Sequence, residues 1–212
     1  MVLRSGIFGL MVWLGATASA APTIDWGTGL VTEGGVGIAD RHAPNPAVAR
    51  GTSRRTAEAA ARAALAKSVP QVPLASGGLV SAKLGDPAIK VRLDRAVAQA
   101  IAVTAQPETD GAWRVTMGVP IEAIRQAVEG GPRAVDGGLE HEPAVVVVEG
   151  ATGTPAVGWT VGGIHAATIW VTAVPPWAKD APHVSATSAR AGAIELATPA
   201  GNVATLYVLL QP

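Results

Sequence analysis

The chain has 212 residues, with 16 basic and 16 acidic side chains, 25 glycines, 16 prolines and no cysteine. Balanced charge excludes the strongly basic surface of a dedicated nucleic-acid binder. The lack of cysteine excludes disulfides, zinc thiolates, a cysteine nucleophile and a thioether lipid anchor, and the length suits one well-cored domain or two small ones.

Residues 1–20 are set apart from the fold. Arg4 supplies a positive n-region, Ile7 to Leu14 an apolar core, and Ala18-Ser19-Ala20 the small residues of a cleavage site. This pattern predicts a signal peptide cut after Ala20. The apolar run is short for a bilayer, and no stop-transfer segment follows. The expectation is export to the periplasm, with no transmembrane segment in the mature chain. A cysteine-free exported protein also fits a bacterial envelope better than a small disulfide-stapled secreted domain does.

Along residues 21–130 the pattern predicts an α+β unit. Gly29 to Ala39 reads as a strand, with Val36 and Ile38 on one face and Gly35 and Gly37 keeping the backbone bare beside them. Asn45-Pro46 is a cap followed by a first helical position. Gly51 is expected to interrupt that helix before its main body, Thr52 to Ser68. In that body Ala57, Ala60, Ala61 and Ala64 form a small-residue stripe, while Arg50, Arg54, Glu58 and Arg62 line another side. Small side chains let a helix sit close to a sheet, so the charged row is read as a solvated face and not as a phosphate or glycan site.

Pro70 and Pro73 end the helix, and Leu79 to Leu84 (LVSAKL) reads as a short strand. Asp86-Pro87 caps a second helix that buries Ile89, Leu93, Ala96, Val97 and Ala100. A strand is expected around Gln99 to Ala105. Asp110-Gly111 is a hairpin turn signal. After it Trp113, Val115, Met117 and Val119 alternate with polar or small residues, as in a half-buried strand. Pro120 is expected to start a third helix with Ile121, Ile124 and Val128 inside, ended by Gly130.

Residues 131–142 are polar and turn-rich and read as a linker. From 143 to 212 the pattern is entirely β, with strands expected at Ala144 to Val148, Ala167 to Ala173, Gly192 to Ala197 and Val203 to Leu210. The runs "ATIWVTAV" and "VATLYVLL" look like neighbours in one sheet. The fold class is therefore α+β: helices packed on one face of a mainly antiparallel sheet, followed by a β-rich C-terminal extension.

Chemistry-bearing motifs are sparse. His42, His141, His165 and His183 stand at no helical metal-pair spacing, and Glu140-His141-Glu142 falls in the predicted linker. Asp180 and His183, with Ser185 nearby, supply the residue types of a triad, but no G-x-S-x-G elbow presents a nucleophile. "GGVGIAD" lacks the third glycine of a dinucleotide loop, Asp40 standing in its place. No cofactor or metal is expected. Trp159, Trp170 and Trp177 are the candidate interaction residues, because indole rings at loop tips contact glycan, protein partners or membrane interfaces. With aromatics so scarce, burial as core anchors is the favoured reading of these residues.

The order "EGGVGIAD", "RRTAEAAARAALAKSV", "DGAWRVTMGVPIEAI" resembles the LPP-twenty lipoprotein family and the N-terminal domain of flagellar T-ring assembly proteins. The resemblance covers Val31 to Val128. It rests on Gly35, Gly37, Ala57, Ala61, Ala64, Asp110, Gly111, Val115, Val119 and Pro120. The lipoprotein members' cysteine is absent, and "VVVVEGATGTPAV" only faintly echoes the stretch that follows the closing helix in many relatives. What the resemblance implies is a non-enzymatic envelope protein, periplasmic or peripheral to the outer membrane. Its partner would be an envelope protein, such as an outer-membrane or flagellar basal-body component. The alternatives are a soluble ligand-binding module using Trp-bearing loops and a periplasmic hydrolase.

Overall fold

A computed structural model of the chain describes residues 23–130, 144–199 and 206–211. The predicted signal peptide, the predicted linker with Glu140-His141-Glu142, and the start of the last predicted strand lie outside the described residues. The fold is α+β, as the pattern predicts.

Four strands form an antiparallel sheet: β1 (Thr23–Asp25), β2 (Leu30–Gly37), β3 (Ile101–Pro107) and β4 (Trp113–Pro120), in the order β1-β2-β4-β3. Three helices accompany it: α1 (Pro46–Ser68), α2 (Pro87–Ala98) and α3 (Ile121–Glu129). The alternation in β4 sends Val115, Met117 and Val119 to the helix side, where all three are buried. Asn45 caps α1 by accepting a hydrogen bond from Val48 N, and Asp86 caps α2 by accepting one from Ala88 N.

The closest packing in the fold lies between α1 and β2. A Cβ on Gly35 would stand 2.1 Å from the Ala57 carbonyl oxygen, and one on Gly37 only 1.8 Å from that of Ser53. Helix backbone therefore rests directly on strand backbone, with Ala57 and Ala61 sealed beneath it. The hydroxyl of Ser53, also buried, lies 3.0 Å from both the Arg50 and the Gly111 carbonyl oxygens and shares its one proton between them, tying the helix to the β3–β4 turn. Ser68 at the far end hydrogen-bonds Glu33 of β2. Arg54 and Arg62 both pair with Glu58, and the Arg54 guanidinium lies 5.3 Å from the Trp113 ring centroid.

Several local expectations change. α1 is continuous through Gly51, because that position faces open space and costs only helix propensity. The buried row of α1 is Ser53, Ala57, Ala61, Leu65 and Ser68; Ala60 is exposed and Ala64 half-buried. Val36 and Ile38 do share a face, but it is the outer one, where both are exposed. Leu79 to Leu84 is not a strand: after one bridge between Pro73 and Leu79 the chain turns into a 3-10 helix, Val80–Lys83, that drives Val80 into the core. Pro120 closes β4 and precedes α3, which begins at Ile121. Gly130 ends α3 in the left-handed conformation.

The second sheet has seven strands: β5 (Val145–Glu149), β6 (Thr160–Val161), β7 (Ile164–His165), β8 (Ala167–Val171), β9 (His183–Arg190), β10 (Ala193–Leu196) and β11 (Leu206–Leu210). Their order is β7-β6-β10-β9-β5-β11-β8, and the central pairings β9-β5-β11-β8 are parallel. Parallel central strands are covered on both faces and read as unbroken apolar runs. Accordingly Val146 and Val148 face one cluster with Trp159, Trp170 and Tyr207, while Val147 faces another with Ile169 and Val208. β8 and β11 are indeed neighbours. β9, the longest strand of this sheet, was hidden by its polar sequence HVSATSAR.

Among the described residues, backbone hydrogen bonds join the two sheets' units at the turn after β1 and at Val157. Trp170 N donates to Trp26 O at 3.0 Å, placing the turn after β1 on the edge of β8. Val157 exchanges backbone hydrogen bonds with Pro73 and Ala75, at 2.9 and 2.8 Å. The β1 turn is itself held by Asp25, whose Oδ1 accepts from Gly27 N and Thr28 N. The hydrogen bonds from Thr28 hold the Asp25 carboxyl below its usual range, with Gly27 adding to the effect.

Three substitutions probe this packing and the β1 turn. Gly37→Ala is expected to lose about 3 kcal/mol, and Ala61→Glu about as much or more through a buried unpaired charge, both read from urea midpoints. The lowered pKa of Asp25 means that its charge stabilises the fold above the unfolded value of about 3.9 and ceases to do so as pH falls through the folded value. Asp25→Asn should therefore melt below the wild type at neutral pH, and the gap should close on acidification below about pH 4.

Candidate interaction surface

The three candidate tryptophans separate by position. Trp159 and Trp170 are 5% and 3% exposed. They pack edge to face, with ring centroids 5.8 Å apart, and Trp159 Nε1 donates to the Thr154 carbonyl. As surface contacts, these two are corrected to core anchors: the scarce aromatics fill the interior of the second sheet. Trp177 alone stays on the surface, 59% exposed in the short turn Pro176–Ala178.

The polar candidates do not assemble as the spacing suggested. His183 opens β9 and pairs through Nδ1 with Glu149 Oε1 at 2.7 Å, a partner supplied by the neighbouring strand β5 and not by Asp180. Both side chains are solvated, 40% and 51% exposed. Ser185 shares their sheet face two residues on, also exposed. His42 is exposed in the loop before α1. Among the described residues, no group of three or more His, Asp or Glu side chains is placed to hold a metal ion.

One ionic cluster escaped the sequence reading. Arg125 of α3 is 4% exposed and clamped by Glu122, at 2.6 and 2.8 Å, and by Glu129, at 2.7 Å. The hydrogen bonds that Arg125 donates to Glu122 outweigh burial and push the guanidinium's already high pKa up. Glu129 also lies 3.3 Å from His165 of β7, at the rim of a cleft of about 380 Å³ between α3 and the second sheet. The i, i+3 and i, i+4 spacing of Glu122, Arg125 and Glu129 was a visible signal for the helical part. Its burial was not visible, because that depends on tertiary packing around α3.

The most distinctive surface is β3. All seven of its residues are exposed, although it belongs to the main sheet. α1 packs over β2 and β4 and leaves β3 uncovered, and β3 has a strand partner only on its β4 side among the described residues. Ile101 and Val103 are 51% and 44% exposed, with Val36 of β2 adding a further apolar side chain on the outer face. Val103 sits at a bulge, beside Gly118, where a Cβ would be 3.0 Å from its methyl group.

No family model and no curated protein matches this chain. No helix among the described residues is long and apolar enough to cross a membrane.

The contrast among the tryptophans is measurable. Trp170→Ala is expected to cost about 3–5 kcal/mol by thermal melting, whereas Trp177→Ala should stay within about 0.5 kcal/mol.

Proposed function

We propose that this chain is an exported cell-envelope protein that acts by docking on a protein partner and not by catalysis, in keeping with its resemblance to the LPP-twenty family. The observation that carries this reading is β3: an apolar strand at a sheet edge, with exposed side chains throughout and its outer backbone groups unpaired by any described strand. Such an edge is a template for strand addition, in which backbone hydrogen bonds supply affinity and alternate side chains supply selectivity. The signal-like segment Arg4 to Ala20 supports export, and the outer membrane or a flagellar basal-body component is the expected place of action. Ligand capture by tryptophan loops now rests on Trp177 alone. A serine hydrolase would rest on the solvated Glu149–His183 pair, whose exposure suits a surface ion pair of little energetic consequence.

The test is capture from solubilised envelope. The wild-type chain should retain an outer-membrane or basal-body protein, and the double variant Ile101→Lys, Val103→Lys should release it while melting at the wild-type temperature. Equal capture by both chains would overturn β3 as the docking element.

A further inference from the structure

α2 packs against α3, and a groove of about 310 Å³ lies between them. That volume is at the lower end of small-molecule sites, which begin at roughly 300 Å³. Arg92, Arg95 and Gln99 of α2 line it, opposite Gln126 and Gly130 at the end of α3. Helical spacing brings the first three to one face of α2. Alanine methyls form the floor, and no acidic side chain lines the groove among the described residues.

Arg92 is half-buried, and its Nε donates to the Ala127 carbonyl in the last turn of α3 at 2.7 Å. That bond holds the guanidinium across the groove and leaves its two terminal nitrogens without a partner among the described residues. Gly130 keeps the approach bare, since a Cβ there would stand 3.8 Å from Arg92 Nη2. Arg95 is exposed and has no ion pair among the described residues. The acids of the same two helices are committed elsewhere: Asp94 pairs with Lys90 at 2.7 Å, and Glu122 and Glu129 clamp Arg125. Two guanidiniums thus share one groove with their charge uncompensated.

Guanidinium forks match the oxygens of carboxylates and phosphates, and a pair of them suits the doubly charged phosphate group best. No aromatic ring lines the groove to stack a base or a sugar, whereas the alanine floor suits a slim aliphatic body. We propose that the α2–α3 groove binds a phosphate group, either free or as the monoester headgroup of a lipid. Arg92 supplies the fixed fork and Arg95 the second charge. The inference goes beyond the docking reading and uses no residue of β3. With two side chains holding the anion, inorganic phosphate should bind with a dissociation constant on the order of 1 mM.

Titration of the full chain with inorganic phosphate tests this, followed by the NMR shifts of the Gln126 and Gly130 amides. Flotation with phosphatidylcholine vesicles containing phosphatidic acid is the second arm. In the wild type both amides should move and saturate. Arg95→Glu, at an exposed helix position, should raise the dissociation constant at least about tenfold. Arg92→Lys keeps the charge but loses the fork, and should raise it about threefold with little change in melting temperature. Arg55→Glu makes the same charge change on the exposed side of α1 and should leave binding as it is. Flotation abolished by Arg95→Glu and not by Arg55→Glu supports a lipid headgroup, whereas phosphate binding without flotation supports a soluble phosphate. A wild type that binds neither probe, or binding that Arg55→Glu weakens as much as Arg95→Glu does, overturns the proposal. Capture of an envelope protein through Ile101 and Val103 is read separately, so either idea can fail alone.

Discussion

The contact on which the rest of the structure depends is the bare approach of α1 to β2. Gly35 and Gly37 have no room for a Cβ, because the Ala57 and Ser53 carbonyls occupy that space. This approach sets the height of α1 over the sheet, and that height lets Ala57 and Ala61 fill a layer that would otherwise need large side chains. It also fixes how far α1 reaches sideways. A helix seated over β2 and β4 cannot cover β3, and the exposed edge is the consequence. Core and surface are two results of one steric fact.

The ends of α1 are secured by polar contacts that support this seating. Ser53 reaches the Gly111 carbonyl in the β3–β4 turn, and Ser68 reaches Glu33 on β2. Both serines are buried, so each hydrogen bond also satisfies a group that would be costly to leave alone. The Arg54–Glu58–Arg62 row completes the arrangement by lying along the side of the helix that faces β4, where Arg54 rests against Trp113. A row that looks like an anion-binding surface is therefore partly neutralised by its own glutamate and partly occupied with packing.

The second sheet is built on a different principle. Its central strands are parallel, and its paired aromatics Trp159 and Trp170 fill one face. It is attached to the first sheet by backbone hydrogen bonds to the carbonyls of Trp26 and Pro73 and from the amide of Ala75, and by the Arg125–Glu129–His165 contacts at the end of α3. These attachments bring residues far apart in the chain to one cleft.

Much of the fold was legible because local physics decides it. Asn45-Pro46 and Asp86-Pro87 announce helix starts through capping, Asp110-Gly111 announces a turn through its tolerance of positive φ, and the alternation from Trp113 to Val119 announces a half-buried strand. The tight glycines under an alanine helix were legible for the same reason: only small residues permit that spacing. Tertiary structure alone decided the rest. Nothing in "LVSAKL" says that its one bridging residue finds no continuing partner, and nothing in "HVSATSAR" says that a polar run will be gripped between β5 and β10. Whether Trp170 is core and Trp177 surface depends on which strands stack over it. The exposure of β3 depends on where α1 comes to rest. Periodicity reports that a strand has two faces; only the assembled layers determine which of them, and which edge, is left to meet another molecule.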